Sequence, residues 1–314
     1  MEKKIYQNQI STLNLIKNYL INLKKKKVKI EIAPVSDFVT WVNCLGFSKL
    51  KLLEKKKNIS IDYIKTILIE IISIGRNYEY SLISSKIKSK KKFNVIYSYC
   101  KKDDFKKNYF FDLYFNDRSD EIKNTYWFLI SLDNYIPSKK IKNVFILYNK
   151  NNNFNIFYLI KYFLRIIKLK KFFYYFNNTS NTSEIYSKFF YKVFKNKIFN
   201  LYLPFENRPH QNSVINYVKK ISKKNNVYGY YHRMPEPLQT EMFFKNKNLD
   251  YLFVNSKIQK KIFVNFFSWP EKKLKVIKTL RHNNIKLRKS IIYLPYQIKD
   301  SNFYLRKLER LNNK

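Results

Sequence analysis

Residues 199–231 read FNLYLPFENRPHQNSVINYVKKISKKNNVYGYY, and the order of elements in this stretch decides the fold class. Phe199–Phe205 reads as a strand, Gln211–Lys223 as a helix and Val227–Tyr231 as a second strand. Further on come a strand at Tyr251–Val254, a helix at Lys257–Phe267, a strand at Leu274–Ile277 and another at Ser290–Pro295. Strands that alternate with helices form a parallel sheet covered on both sides. In such sheets ligands bind beyond the carboxyl ends of the strands.

Upstream, the pattern predicts strands at Phe93–Tyr97, Tyr126–Leu132 and Val144–Tyr148, and helices at Ile61–Ile74, Phe154–Lys168 and Ser183–Lys195. Asn177–Thr182, NNTSNT, reads as a polar loop. Nearer the start, Ile5–Leu23 has apolar residues at helical spacing, Val28–Pro34 is strand-like, a helix is expected from Phe38, and Lys55–Lys57 is a solvated charge run. The expected fold is α/β with Rossmann-like parallel sheets. The expected division is an α/β region over 1–198, a Rossmann-like region over 199–285 with the motif cluster, and an incomplete second domain starting at 286–314.

The formal net charge is +41 across 314 residues, which at face value points to nucleic acid or anionic membrane. Only nine of the 63 basic residues are Arg, however, whereas recognition of phosphate in a fixed geometry favours Arg. Lysine is spread over nearly every segment, with abundant Asn, Ile, Tyr and Phe, three Gly and a single Ala, Ala33. That is the signature of drift toward AT-rich codons, which places Lys wherever a solvated position tolerates it. Against this background, six of the eight prolines and all three histidines (His210, His232 and His282) fall between positions 204 and 295.

Cys44 and Cys100 have no metal-ligand spacing, so neither a zinc site nor a disulfide framework is expected, and a reducing compartment fits best. Met1–Lys27 lacks the apolar run and cleavage site of a signal peptide. The best membrane segments, Tyr63–Gly75 and Phe154–Phe176, are too short or are broken by Lys161, Arg165, Lys168, Lys170 and Lys171. The chain is expected to be cytoplasmic, with peripheral contact at the inner face of an anionic membrane.

The residues fit for chemistry fall after strands. Glu206, with Asn207, Arg208 and Gln211, follows the first quoted strand, where a carboxylate can accept a proton from a sugar hydroxyl or hold that hydroxyl in place. The alternative has Glu206 capping the next helix and pairing with Arg208. His232, beside Arg233, can donate to a phosphate or shuttle a proton at neutral pH; an isolated His is also commonly structural. Asn255 and Ser256 open a helix, a place that suits either capping or phosphate. Arg281 suits a diphosphate or a surface charge. No Asp-x-Asp pair, glycine-rich phosphate loop, dinucleotide fingerprint or Cys/His cluster is present, so no metal or cofactor is expected.

The ordered set Pro204–Asn212, Val227–His232, Asp250–Ser256 and Trp269–Ile277, with Leu280-Arg281, resembles bacterial surface-carbohydrate proteins of O-antigen or capsule biosynthesis related to GT-B glycosyltransferases. The similarity covers roughly positions 200–295, and Asn116–Asp133 extends it less specifically. The resemblance implies two Rossmann-like domains facing across a cleft, with the acceptor mainly on the first and the nucleotide-sugar on the second. It carries Glu206 and His232 over as cleft residues, and Asn255, Ser256 and Arg281 less securely. A donor domain needs well over a hundred residues, but only 19 follow Pro295 (314 − 295), so that half is expected to be truncated or supplied by a separate polypeptide.

The leading expectation is a glycosyltransferase-like protein that moves a sugar from a nucleotide-sugar to a glycan or lipid-linked acceptor without a metal. The alternatives are an RNA-binding, ribosomal-type basic protein and a non-catalytic subunit or remnant of a transferase. The RNA reading explains the charge but lacks a signature of paired aromatics on a basic strand, so no specific nucleic acid partner is expected.

Overall fold

The computed structural model describes residues 61–87, 89, 91–151, 153–168, 178–232, 242 and 245–280. The elements expected at Ile5–Leu23, Val28–Pro34, from Phe38 and at Ser290–Pro295 lie outside the described residues, as does the region 286–314. The described α-helices are α1 (Ile61–Arg76), α2 (Ile156–Lys168), α3 (Asn178–Phe194), α4 (Pro209–Ile221) and α5 (Lys257–Asn265). The strands are β1 (Glu79–Ile83), β2 (Phe93–Cys100), β3 (Phe111–Asp112), β4 (Asp117–Arg118), β5 (Thr125–Ser131) and β6 (Val144–Asn151), followed by β7 (Phe199–Pro204), β8 (Asn226–Tyr230), β9 (Tyr251–Val254) and β10 (Leu274–Val276).

Eight strands form one sheet in the order β1-β6-β5-β2-β7-β8-β9-β10. Only β1 is antiparallel to its neighbour; the other pairs are parallel. The chain lays down β2, adds β5 and β6 on one side, then crosses back and adds β7 through β10 on the other. This is the Rossmann-like order, and its direction reverses between β2 and β7. The small β3–β4 hairpin stands apart from the main sheet.

The division expected at 198/199 is not a boundary in the sheet. β2 pairs with β7 from Phe93↔Phe199 to Ile96↔Tyr202, so stretches from both expected regions share one sheet. They share a core too. Val95, Tyr97 and Phe128 lie with Leu201, Leu203 and Val227 on one face, packed under Phe190 and Phe194 of α3 and Val214 and Val218 of α4. Each such side chain contributes about 1.5–3 kcal/mol by leaving water. The other face, through Ile96, Trp127, Leu129 and Ile146, is covered by Phe110, just before the β3–β4 hairpin, and Phe115, in its turn. A parallel sheet needs cover on both faces, and here one cover is helical and the other an irregular segment.

The polar run at 177–182 differs from expectation, because α3 already begins at Asn178. Its polar groups are used in packing. Asn181 donates to the Asn77 carbonyl at 2.7 Å and accepts from the Tyr158 hydroxyl at 2.6 Å, while Thr182 Oγ1 donates to the Asn178 carbonyl at 3.0 Å. Composition alone marks such a run as solvated; tertiary hydrogen bonds make it a helix end.

The chain turns its corners with asparagine. Among the described residues, seven other than glycine have φ between 56° and 62°, and six of them are Asn: Asn116, Asn124, Asn134, Asn143, Asn196 and Asn207. After glycine, asparagine tolerates this left-handed region best, and a chain with three glycines uses it instead. Gly229 has a different reason, since a Cβ there would stand 2.9 Å from Phe205 Cβ and 3.2 Å from Leu252 Cδ1. Asn196, exposed between α3 and β7, isolates the backbone effect. Asn196→Gly is expected to hold or slightly raise the urea midpoint. Asn196→Val is expected to lower stability by about 1–2 kcal/mol at unchanged slope.

Candidate functional site

At the carboxyl edge of the sheet, the strand order reverses between β2 and β7, the place where sheets of this order form a crevice for ligands, and the residues after β7 gather there. Phe205 continues the ladder, its N–H donating to the Tyr230 carbonyl at 2.8 Å. The chain then turns through Glu206, Asn207 and Arg208 into α4, with buried Asn207 at φ 59° and Pro209 in the first helical turn. Asn212 holds this corner, its side-chain amide donating to Asn207 O at 3.1 Å and Oδ1 at 2.9 Å.

Gln211, 1% exposed, is the hub of the turn. Its Oε1 accepts from the backbone N–H groups of Glu206 and Arg208, both at 3.0 Å. Its Nε2 donates to the Pro204 carbonyl at 2.6 Å and to the Tyr99 hydroxyl at 3.1 Å. With both ends of its amide engaged, Gln211 shapes the loop that carries Glu206, a different task from the substrate contact expected of it.

Tyr99, near the end of β2, also meets His210 Nε2 at 2.6 Å. Burial pushes the phenol pKa up, and burial followed by the nearby Arg208 charge holds His210 down at about 4. A protonated phenol whose oxygen already accepts from Gln211 donates to His210 Nε2, leaving that imidazole neutral with its proton on Nδ1. His210 is thus a fixed neutral support for the first turn of α4.

The second pair faces the crevice. Glu206 Oε1 lies 3.2 Å from His232 Nε2, with the side chains 16% and 6% exposed. The other carboxylate oxygen, Oε2, accepts from Arg208 Nε at 3.3 Å. His232 directly follows β8 and Tyr231; its ring meets Tyr114 edge-on at 4.8 Å. Its Nδ1 is buried with no hydrogen-bond partner among the described residues. The chain therefore brings Glu206, Arg208 and His232 into one cluster from two strand ends.

Asn255, after β9, donates from Nδ2 to the Tyr231 carbonyl at 2.9 Å, and its Oδ1 is buried without a partner. Ser256 is the N-cap of α5, its hydroxyl accepting from the Gln259 N–H at 3.0 Å. Asn255 is therefore tied to the residue before His232, and Ser256 takes the capping role. Arg233 and Arg281 lie outside the described residues. Among the described residues, no group of three or more His, Cys, Asp or Glu side chains is placed to hold a metal ion, and no helix is long and apolar enough to cross a membrane.

Tyr99 and Tyr114 join the site without having been singled out by sequence, and His210, noted there only as one of three clustered histidines, joins it as well. Tyr99 arrives through the β2–β7 pairing, and Tyr114 through the turn of the β3–β4 hairpin. Asp112 holds that turn, its Oδ1 accepting from the N–H groups of Tyr114 at 2.9 Å and Phe115 at 3.3 Å. Its Oδ2 is buried without a partner.

Comparison with known families, curated proteins and solved structures finds no match. The fold defines a Rossmann-like α/β protein, and the reading of its crevice rests on the side chains themselves.

Burial raises the Asp112 pKa to about 7, outweighing the Tyr114 N–H, the Ser98 hydroxyl and the Phe115 N–H that lower it. A raised carboxyl pKa means the native state keeps a proton that the unfolded chain has released. The stability it brings is therefore full below about pH 4 and is lost as pH climbs to about 7. Asp112→Asn keeps an oxygen for Tyr114 and Phe115 and removes the titration. Its unfolding free energy relative to the natural chain is expected to rise by about 1 kcal/mol per pH unit between pH 4 and 7, measured by urea melts at several pH values.

Proposed function

We propose that the β2/β7 crevice is the acceptor site of a metal-independent glycosyltransferase of surface-polysaccharide assembly, related in design to the first domain of GT-B enzymes. The observation that carries this reading is the pairing of part-buried Glu206 with buried His232 at the sheet's carboxyl edge. The carboxylate accepts the Nε2–H of His232 and so leaves the lone pair on Nδ1, the nitrogen without a partner. A carboxylate that fixes the tautomer of a histidine base is a recurring device in proton transfer.

In this mechanism an acceptor hydroxyl gives its proton to His232 Nδ1. The hydroxyl oxygen bonds to the anomeric carbon of the nucleotide-sugar, and the bond from that carbon to the phosphate oxygen breaks. The electron pair leaves on the nucleoside diphosphate, for which the reading assigns Arg233 and Arg281 as counter-charges. The developing imidazolium is stabilised by Glu206, and Gln211 keeps the Glu206 backbone in place.

The test is sugar transfer from nucleotide-sugars to glycan and lipid-linked acceptors by the purified chain, alone and with a donor-domain polypeptide. His232→Ala is expected to lower kcat by about 10²–10⁴-fold with the circular dichroism spectrum retained, and Glu206→Gln to lower it less. Absence of both nucleotide-sugar binding and transfer under all these conditions removes the enzymatic reading.

A second reading rests on a separate observation. Across β7, β8 and β9 the ring of Tyr228 stacks on its register partner Tyr202 and, diagonally, on Phe253, with centroids 4.9 Å apart for the first pair and 5.8 Å for the second. Tyr251 stacks on Tyr228 at 6.1 Å and carries the Lys275 ammonium 5.4 Å above its ring. A row of aromatic rings beside lysine on a sheet is the platform on which single-stranded nucleic acid stacks. If that is its use, Tyr228→Ala weakens binding of an oligouridine by roughly 1–3 kcal/mol in fluorescence anisotropy at fixed salt. An unchanged affinity marks any RNA binding as attraction by the overall charge.

A further inference from the structure

Two neighbouring helices turn apolar side chains to water. On α1, Leu68, Ile69 and Ile72 are 52%, 61% and 44% exposed. On α2, Phe157, Ile160, Leu164 and Ile167 are 80%, 50%, 61% and 50% exposed, and their spacing places them on one stripe of the helix. The opposite sides are occupied. Ile74 of α1 and Tyr162 of α2 are buried together, and Arg165 of α2 reaches Glu184 of α3 at 2.6 Å. One exposed Phe is ordinary; a stripe of large apolar side chains along a helix marks an interaction surface.

The charge around the stripe selects the occupant. Lys161 of α2 is exposed beside the stripe, Arg165 is turned to Glu184, and the α2 sequence has no acidic residue, in a chain of net charge +41. Cations bordering apolar side chains match an anionic lipid surface, whereas two copies of so basic a chain repel each other. The α1–α2 unit also leaves the sheet at its carboxyl edge. Asn155, just before α2, donates its N–H to the Gly75 carbonyl at 3.0 Å, and Asn149 near the carboxyl end of β6 donates to Asn77 Oδ1 at 3.2 Å. The β2/β7 crevice opens at that same edge.

We propose that the outward faces of α1 and α2 dock on an anionic bilayer, with Phe157 and Leu164 entering the boundary between headgroups and acyl chains and Lys161 among the lipid phosphates. The helices lie on the membrane and do not span it. Resting on the transfer reading above, the acceptor class that follows is a lipid-linked glycan, presented to His232 from the surface on which the protein sits.

The experiment is co-sedimentation of the full chain with phosphatidylcholine vesicles, with and without phosphatidylglycerol. It is paired with Phe157→Trp, whose fluorescence is read against vesicles carrying brominated acyl chains. Binding is expected to need phosphatidylglycerol, and Phe157→Glu with Leu164→Glu is expected to weaken it roughly tenfold or more, although those changes remove little of the positive charge. The tryptophan is expected to be quenched. Equal binding by the double variant without quenching of Phe157→Trp overturns the proposal in favour of attraction by the general field. A dimer that the double variant dissociates, with vesicle binding unaltered, overturns it in favour of self-association. Should the double variant fail to fold, the quenching of Phe157→Trp decides alone. Glu206→Gln with His232→Ala is expected to bind vesicles like the natural chain, so loss of transfer and loss of docking are read separately.

Discussion

The parallel pairing of β2 with β7 is the contact on which the remainder of the architecture depends. Its register, Phe93 with Phe199 through Ile96 with Tyr202, joins the two wings of the sheet and puts the point of reversal in the middle. Without it, the wing of β1, β6, β5 and β2 and the wing of β7, β8, β9 and β10 would each end in an open edge. The same pairing brings Tyr99 beside the turn after β7. The network of Tyr99, His210 and Gln211 is therefore a product of topology, and through Gln211 it reaches the backbone of Glu206.

Burial does most of the electrostatic tuning near the crevice. Two groups a few strands apart are pushed in opposite senses: the Asp112 carboxyl keeps its proton up to about pH 7, and the His210 imidazole stays neutral down to about pH 4. Both shifts disfavour a charge, because each group lies in the core with too few partners to support one. Glu206 is treated differently, since Arg208 and His232 both approach its carboxylate. In a chain with so much unpaired positive charge, the concentration of paired polar groups at one sheet edge separates this edge from the lysine-covered remainder.

Local periodicity made much of the fold legible. The strand at Tyr251–Val254 and the helix starting at Lys257 were readable to the residue, and β7, β8 and α4 to within a few residues. Of the site, Glu206, Arg208 and His232 were visible because they follow strands, and the reversal rule says that such residues meet. What stayed hidden was non-local. Tyr99 reaches the crevice only because β2 lies beside β7, and Tyr114 only because a two-stranded hairpin, too short to show a period, folds over the sheet. The first turn of α3 was hidden for a related reason: its Asn and Thr side chains look like loop residues until Asn77 and Tyr158 are seen to accept and donate.

The central pairing also sets a timetable for the newborn chain. Facing residues of β2 and β7 are 106 positions apart, as with Asn94 and Asn200. At about 5–20 residues per second, the ribosome needs roughly 5–20 s to deliver the second strand after the first. During that interval β2, rich in aromatic and branched side chains, waits with one hydrogen-bonding edge unoccupied, a template for stray strands of other nascent proteins. The strand order itself thus sets how long that edge stays open to mispairing during synthesis.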